Sequence, residues 1–460
     1  MTNKAKPTTT GTEKKLTARE DKMITQYLNS LVFNDQGRDV GDILTLVDNP
    51  FIDSPTNDVV SLLFCRFFEN TDAHPGLAIF SFLSMLSAWC VQNKATCLVP
   101  MTSTPAELAV WLMLLAGTGE NKSLTTRILS NSLPKNLATG RPIVESNFIQ
   151  PVSNKSLFEQ IRDLPDHRGF WKQDEGGQFI RQLDNLNGPH AQTKQSLLLL
   201  KDNDPVPYAV GGRKEVVENA VLVVLMINTM ESMVGAVSPA SMYDGMFRRF
   251  TVASAVREEN DGGIEFEKAA LYNLLTVNDN ALSKEMEAVF SQPIQNAAFT
   301  FSPPCVSLYQ KTFEVFWTRQ FKRFLLGQKT YFRTYMMESW KYAVFHHIIH
   351  KKQGHVVDEY SLQWGLKVSM YMLNSLQTFI AKQTKTTDVV RQKDFLESFQ
   401  NFIKVNEDKP GLMRAVCRKF NMKTETVCGN LAALKELNPK FQTKLLAQME
   451  KKFTKANEDY

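Results

Sequence analysis

The sequence predicts an α/β protein in which a parallel sheet is flanked by N-terminal and C-terminal helical regions. Between residues 105 and 260, apolar runs that end in loops alternate with helical patterns, as in folds built on a parallel sheet. Two of these runs, 109–117 and 220–228, are continuously apolar, as strands buried on both faces are. Long amphipathic helices are predicted between residues 280 and 380.

The length of the chain, 460 residues, allows two to four domains. A polar tail rich in Thr and Lys is predicted to be disordered at 1–16, and a helical region follows at 17–74. The α/β core is predicted at 75–270, with 248–255 as a third, shorter strand. A helical lobe at 271–385 and a basic helical module at 386–460 complete the expected organisation.

Composition predicts a soluble protein of a reducing compartment. The apolar fraction is 43% and the charged fraction 22%, as in ordinary globular proteins. The N-terminus has no apolar segment typical of a signal peptide, and the longest apolar runs, 77–89 and 220–227, are too short to span a bilayer. Six scattered cysteines without a C-x-x-C pair argue against a disulfide framework or a zinc ribbon. We therefore expect a cytoplasmic protein with no membrane partner.

The stretch LMLLAGTGENKSLTTRIL, residues 112–129, has the form of a phosphate-binding loop between a strand and a helix. In such a loop the backbone N–H groups surround phosphates, and the helix N-terminus adds a partial positive charge. The lysine reaches the β- and γ-phosphates, and the hydroxyl that follows it is a magnesium ligand. The pattern thus predicts that ATP and Mg²⁺ are bound by Gly117, Thr118, Gly119, Glu120, Asn121, Lys122 and Ser123.

Asn121 departs from the loop pattern, because glycine is usual before the lysine. Asparagine adopts positive φ angles more readily than most residues, so the replacement is permissive although its side chain crowds the loop. The alternative interpretation is a glycine-rich turn between strand and helix that binds no ligand.

An acidic pair, Asp174 and Glu175, lies in the stretch GFWKQDEGGQFI. In phosphate-loop ATPases one acidic residue orders the magnesium shell and another polarises water, and these roles are expected for Asp174 and Glu175 respectively. Lys172 and Gln173 interrupt the apolar run that a buried strand requires. A solvated turn is therefore the alternative interpretation.

Four further residues are candidates for the catalytic step. Asn228 ends the second apolar run, where a polar side chain could contact the γ-phosphate or orient the attacking water. Ring-forming ATPases complete each site with an arginine from the next subunit, and the candidates here are Arg213, Arg248 and Arg249. The alternatives are an ordinary strand end and solvated surface charges.

Together these segments resemble a family of P-loop proteins of phages, plasmids and other mobile elements, found beside or fused to primase domains and treated as RecA-like replicative helicases. The resemblance covers about residues 75–380 and includes the lead-in at 77–99, the loop and the Asp-Glu-Gly-Gly stretch. Its most distinctive part is 197–234 followed by DGMFRRFTV, where Gly245, Arg249 and Phe250 match the family's gly-x-x-x-arg-phe signature.

The resemblance implies a RecA-like P-loop core and an ATP-dependent DNA helicase of phage or mobile-element replication. It further implies a hexameric ring of identical subunits, single-stranded DNA as the partner, and a separate primase or replication initiator. The alternative is a nucleotide-binding initiator, loader or interference protein with weak or no hydrolysis, which Asn121 and Lys172 favour. A third interpretation is a DNA-binding adaptor in which the P-loop fold is only a scaffold.

The C-terminal segment is basic, with 16 Lys and Arg against 10 Asp and Glu from residue 381 onward. Residues 411–437 have the form of a helix-turn-helix, with apolar faces at Leu412, Val416 and Phe420 and at Val427, Leu431 and Leu434. This arrangement predicts DNA contacts for Arg414, Arg418, Lys419, Lys423, Thr426 and Asn430. A hairpin used only for packing or oligomerisation has the same pattern and is the alternative.

Overall fold

The computed structural model describes residues 58–71, 73–100, 102, 104–119, 122–183, 190–210, 213–237, 246–256, 280–320, 328–385, 398–408 and 411–420, and isolated positions between 424 and 447. The tail predicted at 1–16 lies outside these residues, as does most of the helical region predicted at 17–74.

The described strands form three sheets. In chain order they are β1 Thr96–Cys97, β2 Ala106–Glu107, β3 Trp111–Ala116, β4 Arg168–Asp174, β5 Val206–Val210, β6 Arg213–Val217, β7 Val221–Thr229, β8 Thr251–Ala255, β9 Ala298–Phe301 and β10 Val356–Val357. A small sheet has the order β10-β9-β1-β2, β5 and β6 form a hairpin, and the central sheet has the order β4-β7-β3-β8.

The central sheet is entirely parallel, which confirms the predicted α/β class. All six residues of β3 and eight of the nine residues of β7 are buried, which accounts for their unbroken apolar sequences. Ala116 lies opposite Thr229 and Asp174 lies opposite Ile227. The carboxyl ends of β3, β4 and β7 therefore meet at one edge of the sheet, which we call the carboxyl edge.

β4 is an outer strand of this sheet, and its sequence reflects that position. Gly169, Phe170 and Trp171 are buried, whereas the last three residues of the strand are half-buried. The segment 146–148 borders its free side, where the Asn147 N–H donates to the Phe170 carbonyl at 3.1 Å. An outer strand needs apolar side chains over only part of its length, so Lys172 and Gln173 are compatible with a strand here.

The described helices, in chain order, are α1 Val59–Asn70, α2 Pro75–Gln92, α3 Lys122–Ser132, α4 Asn154–Asp163, α5 Gly177–Leu183, α6 Ala191–Lys201, α7 Met230–Ala236, α8 Asn280–Phe290, α9 Pro303–Gln320, α10 Gln328–Ile349, α11 Glu359–Lys385 and α12 Leu412–Phe420. Among them, α2 is the one long and apolar enough to cross a membrane, and 94% of that window is buried inside the protein. It packs against α1, α3 and the central sheet.

One hydrophobic cluster runs from Val59 to Ile380 and joins the sheet to the helices that follow it. α10 packs along α11, and α11 packs along β8, where the Tyr371 hydroxyl donates to the Ser254 carbonyl. Gly365 allows α10 and α11 to approach closely, because an added Cβ would lie 2.3 Å from the Ser339 carbonyl oxygen. The described helices between 280 and 385 thus share their core with the sheet.

The C-terminal module has a hydrophobic cluster of its own. It is formed by helical residues in 398–405, by α12 and by isolated positions beyond it. Its buried members are Phe399, Ile403, Leu412, Val416, Val427, Leu431, Leu445 and Leu446.

Candidate nucleotide-binding site

The predicted phosphate loop connects the end of β3 to the start of α3 at the carboxyl edge. Gly117, Thr118 and Gly119 form the first part of the turn, and α3 begins at Lys122. Gly119 has a φ of +86°, a left-handed conformation that side chains rarely adopt. The first N–H groups of a helix have no partner within the helix, which makes the start of α3 suitable for an anion. Glu120 and Asn121 lie outside the described residues.

Lys122 has a side chain that is free to meet an anion. It is half-buried in the first turn of α3, and its amine makes no hydrogen bond or ion pair with any residue in the described part of the chain. A lysine ammonium is a compact point charge on a flexible stem, which suits a terminal phosphate. This is the position where the loop pattern places the phosphate-binding lysine.

Ser123 and Asp174 lie side by side although 51 residues separate them in sequence. The Ser123 hydroxyl donates to the Asp174 carboxylate at 2.9 Å. The second carboxylate oxygen of Asp174, Oδ1, is buried and has no partner among the described residues. Hydroxyl and carboxylate oxygens are the ligands that Mg²⁺ prefers, and a buried oxygen without a partner has capacity for a cation.

A magnesium site made of two protein ligands matches the chemistry of that ion. Mg²⁺ keeps several waters and is usually held by one or two carboxylates together with substrate phosphates. In the described chain, no group of three or more His, Cys, Asp or Glu side chains could hold a metal ion. Ser123 and Asp174 therefore fit Mg²⁺ that arrives with a nucleotide, and they do not form a closed protein cage.

Glu175 follows β4 in a left-handed backbone conformation, with a φ of 58°. Its N–H donates to the Ile227 carbonyl at 2.8 Å, while its side chain is exposed. The next residue, Gly176, fits closely, because an added Cβ would lie 3.1 Å from the sulfur of Met226. A left-handed non-glycine residue at a strand end is uncommon, and such positions concentrate at functional sites.

Asn228 lies between the loop strand and the strand that carries Asp174. It is completely buried, and its Oδ1 accepts a hydrogen bond from the Gly177 N–H at 2.8 Å. Its amide nitrogen is buried and has no partner within the described structure. Because a buried donor without a partner costs about 1–3 kcal/mol, this amide has capacity for a hydrogen bond to a ligand or to a buried water.

Glu231 was not identified from the sequence. It lies in the first turn of α7, which begins directly after β7, and its carboxylate accepts a hydrogen bond from the Thr118 hydroxyl at 3.2 Å. The sequence does carry a signal, because Thr229 is a good helix N-cap and its hydroxyl accepts from the Ser232 N–H. A helix that starts there places Glu231 at the carboxyl edge.

The three candidate arginines occupy different environments. Arg249 forms an ion pair with Asp202 of the same chain, in which Nε lies 3.2 Å from Oδ1. Arg248 has a buried Nε with no partner among the described residues. Arg213 begins β6, in the hairpin outside the central sheet, and its side chain is not among those described. Of the two candidate arginines whose side chains are described, Arg248 is the one with unused hydrogen-bonding capacity.

The basic C-terminal module presents part of its expected cationic surface. Arg414, Arg418 and Lys419 are exposed on α12. Asn430 is buried, with 6% of its surface exposed, and its DNA contact stays a prediction. The predicted contacts Lys423 and Thr426 lie outside the described residues, as does Leu434.

No protein-family model matches the chain, and no curated protein matches its sequence. The function is therefore inferred from the arrangement of Lys122, Ser123, Asp174 and Asn228 at the carboxyl edge and from the resemblance described above.

Proposed function

We propose that this chain is an ATP-dependent DNA motor, a helicase with a RecA-like core, that hydrolyses ATP with Mg²⁺ at the carboxyl edge. The observation that carries the proposal is the 2.9 Å contact between Ser123 and Asp174. Ser123 directly follows Lys122, whose amine has no partner among the described residues. The sequence pattern assigned both oxygens to Mg²⁺ from separate segments. Their meeting at the end of a parallel sheet supports a built nucleotide site over a chance turn.

Each residue at the carboxyl edge has a defined task in this proposal. The N–H groups of the loop and of the α3 N-terminus bind phosphate oxygens, and Lys122 neutralises charge on the terminal phosphates. Mg²⁺ held by Ser123 and Asp174 would supply further charge neutralisation when bound. Glu175 accepts a proton from the attacking water, and the amide of Asn228 donates to that water or to the γ-phosphate.

The DNA-related part of the proposal is supported by the family resemblance and by the exposed cations of α12. A ring of identical subunits would place an arginine of one chain beside the nucleotide of the next, and the candidates are Arg213, Arg248 and Arg249. A separate primase or replication initiator and a cytoplasmic location belong to the same proposal.

The test is steady-state ATP hydrolysis by the full chain, with and without single-stranded DNA, in wild type and Lys122→Ala. The matched control is Lys135→Ala, an exposed lysine after the end of α3. We expect hydrolysis that DNA stimulates and that Lys122→Ala reduces by at least about 100-fold, because an interaction with the transferred phosphate is lost. Absence of nucleotide binding by the wild type would refute the proposal.

A second candidate is a nucleotide-binding initiator, loader or interference protein that turns ATP over slowly or not at all. The contact between the Glu231 carboxylate and Thr118 favours it, because a negative charge on the phosphate loop opposes a triphosphate. Tight binding that depends on Lys122, without turnover in the presence of DNA, would select this candidate.

A further inference from the structure

Lys172 breaks the apolar pattern of β4, and the structure gives its side chain a specific partner. It lies two residues before Asp174, so the two side chains project from the same face of the strand. The Lys172 amine donates to the Thr126 hydroxyl at 2.8 Å. Thr126 is completely buried on α3, about one turn beyond Ser123. A lysine at a solvated strand end would have no such partner.

The contact belongs to a directed chain of hydrogen bonds. An ammonium group can only donate, so the single hydroxyl hydrogen of Thr126 remains for another acceptor. That acceptor is the Ser123 carbonyl, 3.1 Å away. The Ser123 hydroxyl in turn donates to Asp174 at 2.9 Å. The chain leaves β4 at Lys172, crosses the first turn of α3 and returns to β4 at Asp174.

This closed path fixes the first turn of α3 against β4 at two points. A hydrogen bond from a charged donor is roughly twice as strong as a neutral one, and a partly buried one is weakly screened by solvent. With Lys172 in place, Ser123 and Asp174 are held at a defined separation. Groups that orient metal ligands in this way typically change metal affinity by roughly 10–100-fold.

We propose that Lys172 is a positioning residue of the nucleotide site, which acts through Thr126 to set the separation of the Ser123 and Asp174 oxygens and thereby the affinity for Mg²⁺. This inference rests on the proposed function, because it assigns Mg²⁺ to those two oxygens. It explains why a lysine occupies a strand position where an apolar residue is expected.

The experiment measures binding of a fluorescent ATP analogue to the full chain as Mg²⁺ is titrated. For Lys172→Met we expect the half-saturating Mg²⁺ concentration to rise roughly 10-fold or more, with little change in the affinity measured without Mg²⁺. Thr126→Val should raise the half-saturating Mg²⁺ concentration to a similar extent. The double variant should raise it no further than either single change, because both substitutions interrupt the same chain of hydrogen bonds. Lys172→Arg and Thr126→Ser keep the donor and the hydroxyl, and should recover most of the affinity.

The control is Lys135→Met, which removes an exposed lysine that follows the end of α3 and should leave the Mg²⁺ titration unchanged. Thermal unfolding of each variant separates loss of fold from loss of positioning. If Lys172→Met does not fold, the Mg²⁺ titration of Thr126→Val tests the proposal in its place. If nucleotide binding by the wild type depends on Mg²⁺ and the folded variants give the same titration curves as the wild type, this inference is overturned and the proposed function stands. If the wild type binds no nucleotide, the proposed function fails as well.

Discussion

Glu231 lies against the predicted phosphate loop, where a nucleotide would bind in the proposed function. Its carboxylate accepts from Thr118, and it lies on the helix that follows the central strand β7. A bound triphosphate would bring several negative charges to the same loop. Repulsion between like charges then opposes binding unless the carboxylate moves away or a cation lies between the two.

Replacing Glu231 with glutamine should strengthen nucleotide binding. Glutamine keeps an acceptor for Thr118 and removes the charge, so we expect affinity for ATP without Mg²⁺ to rise roughly fivefold at low ionic strength and less at high ionic strength. Fluorescence titration with an ATP analogue measures the change. Glu159→Gln is the control, because this acid on α4 has a side chain that is 45% exposed and contacts Lys155. Weaker binding by Glu231→Gln would instead assign Glu231 to holding the nucleotide.

At the scale of elements, the crossing of α10 and α11 depends on one glycine. A Cβ at Gly365 would lie 2.3 Å from the Ser339 carbonyl oxygen and 2.8 Å from the Ala343 nitrogen, and backbone atoms cannot move aside locally. Gly365→Ala should therefore lower the free energy of unfolding by about 3 kcal/mol. Denaturant titration with Gly235→Ala as the control tests this.

Gly235 lies in a helix as well, but the nearest atom to its added Cβ is a side-chain nitrogen at 3.9 Å. Its replacement should leave stability unchanged or raise it by up to about 1 kcal/mol, because alanine favours helix. Equal effects of the two substitutions would contradict the close approach of α10 and α11.

The negative charge of Asp358 stabilises the start of α11, so the protein should become less stable in acid. Burial alone would raise the pKa of the Asp358 carboxyl, but hydrogen bonds from Lys352 and Ser361 outweigh it and hold the pKa at about 2. A lowered carboxyl pKa contributes stability that is complete above pH about 4 and is lost as the pH falls toward 2.

Asp358→Asn should therefore be less stable than wild type at neutral pH, by about 1 kcal/mol, because solvent screens a half-exposed ion pair. Asparagine still caps the helix, so the charge alone is removed. Thermal unfolding as a function of pH should show the two proteins converging between about pH 4 and 2. A constant difference across that range would assign the effect to packing.

Sequence patterns predicted the elements that depend on local chemistry. β3 and β7 are continuously apolar because they are buried on both faces, and the phosphate loop has a local spacing of glycine, lysine and serine. Lys172 makes β4 difficult to predict, because it interrupts the apolar pattern of the strand. Its contact with Thr126 is visible only in the folded structure. Sequence patterns did not identify Glu231 either, because its partner Thr118 is distant in the sequence.

For the whole molecule, the C-terminal module supplies the candidate DNA surface. Reversing the charges of Arg414, Arg418 and Lys419 to glutamate should weaken binding to DNA at every ionic strength. The slope of log affinity against log salt should fall in magnitude by about 2 to 3, since each cation releases counterions from a phosphate. Nucleotide binding without DNA should not change, because these residues belong to a module with its own hydrophobic cluster.

Fluorescence anisotropy with a labelled oligonucleotide measures this slope. The control replaces three exposed cations outside the C-terminal module with glutamate: Lys135, Arg141 and Lys155. An unchanged slope in the α12 variant would favour the alternative in which the hairpin serves packing or oligomerisation.

The hydrophobic cluster that runs from Val59 to Ile380 decides where this polypeptide can be divided. A gene fragment that stops near residue 270 would omit α10 and α11 and expose the apolar surface that they cover on β8, which favours aggregation. A fragment that stops in 386–397 would keep every member of this cluster and would omit the C-terminal cluster as a whole, so neither cluster is cut. A polypeptide divided into two separately expressed fragments should therefore be divided in that second interval.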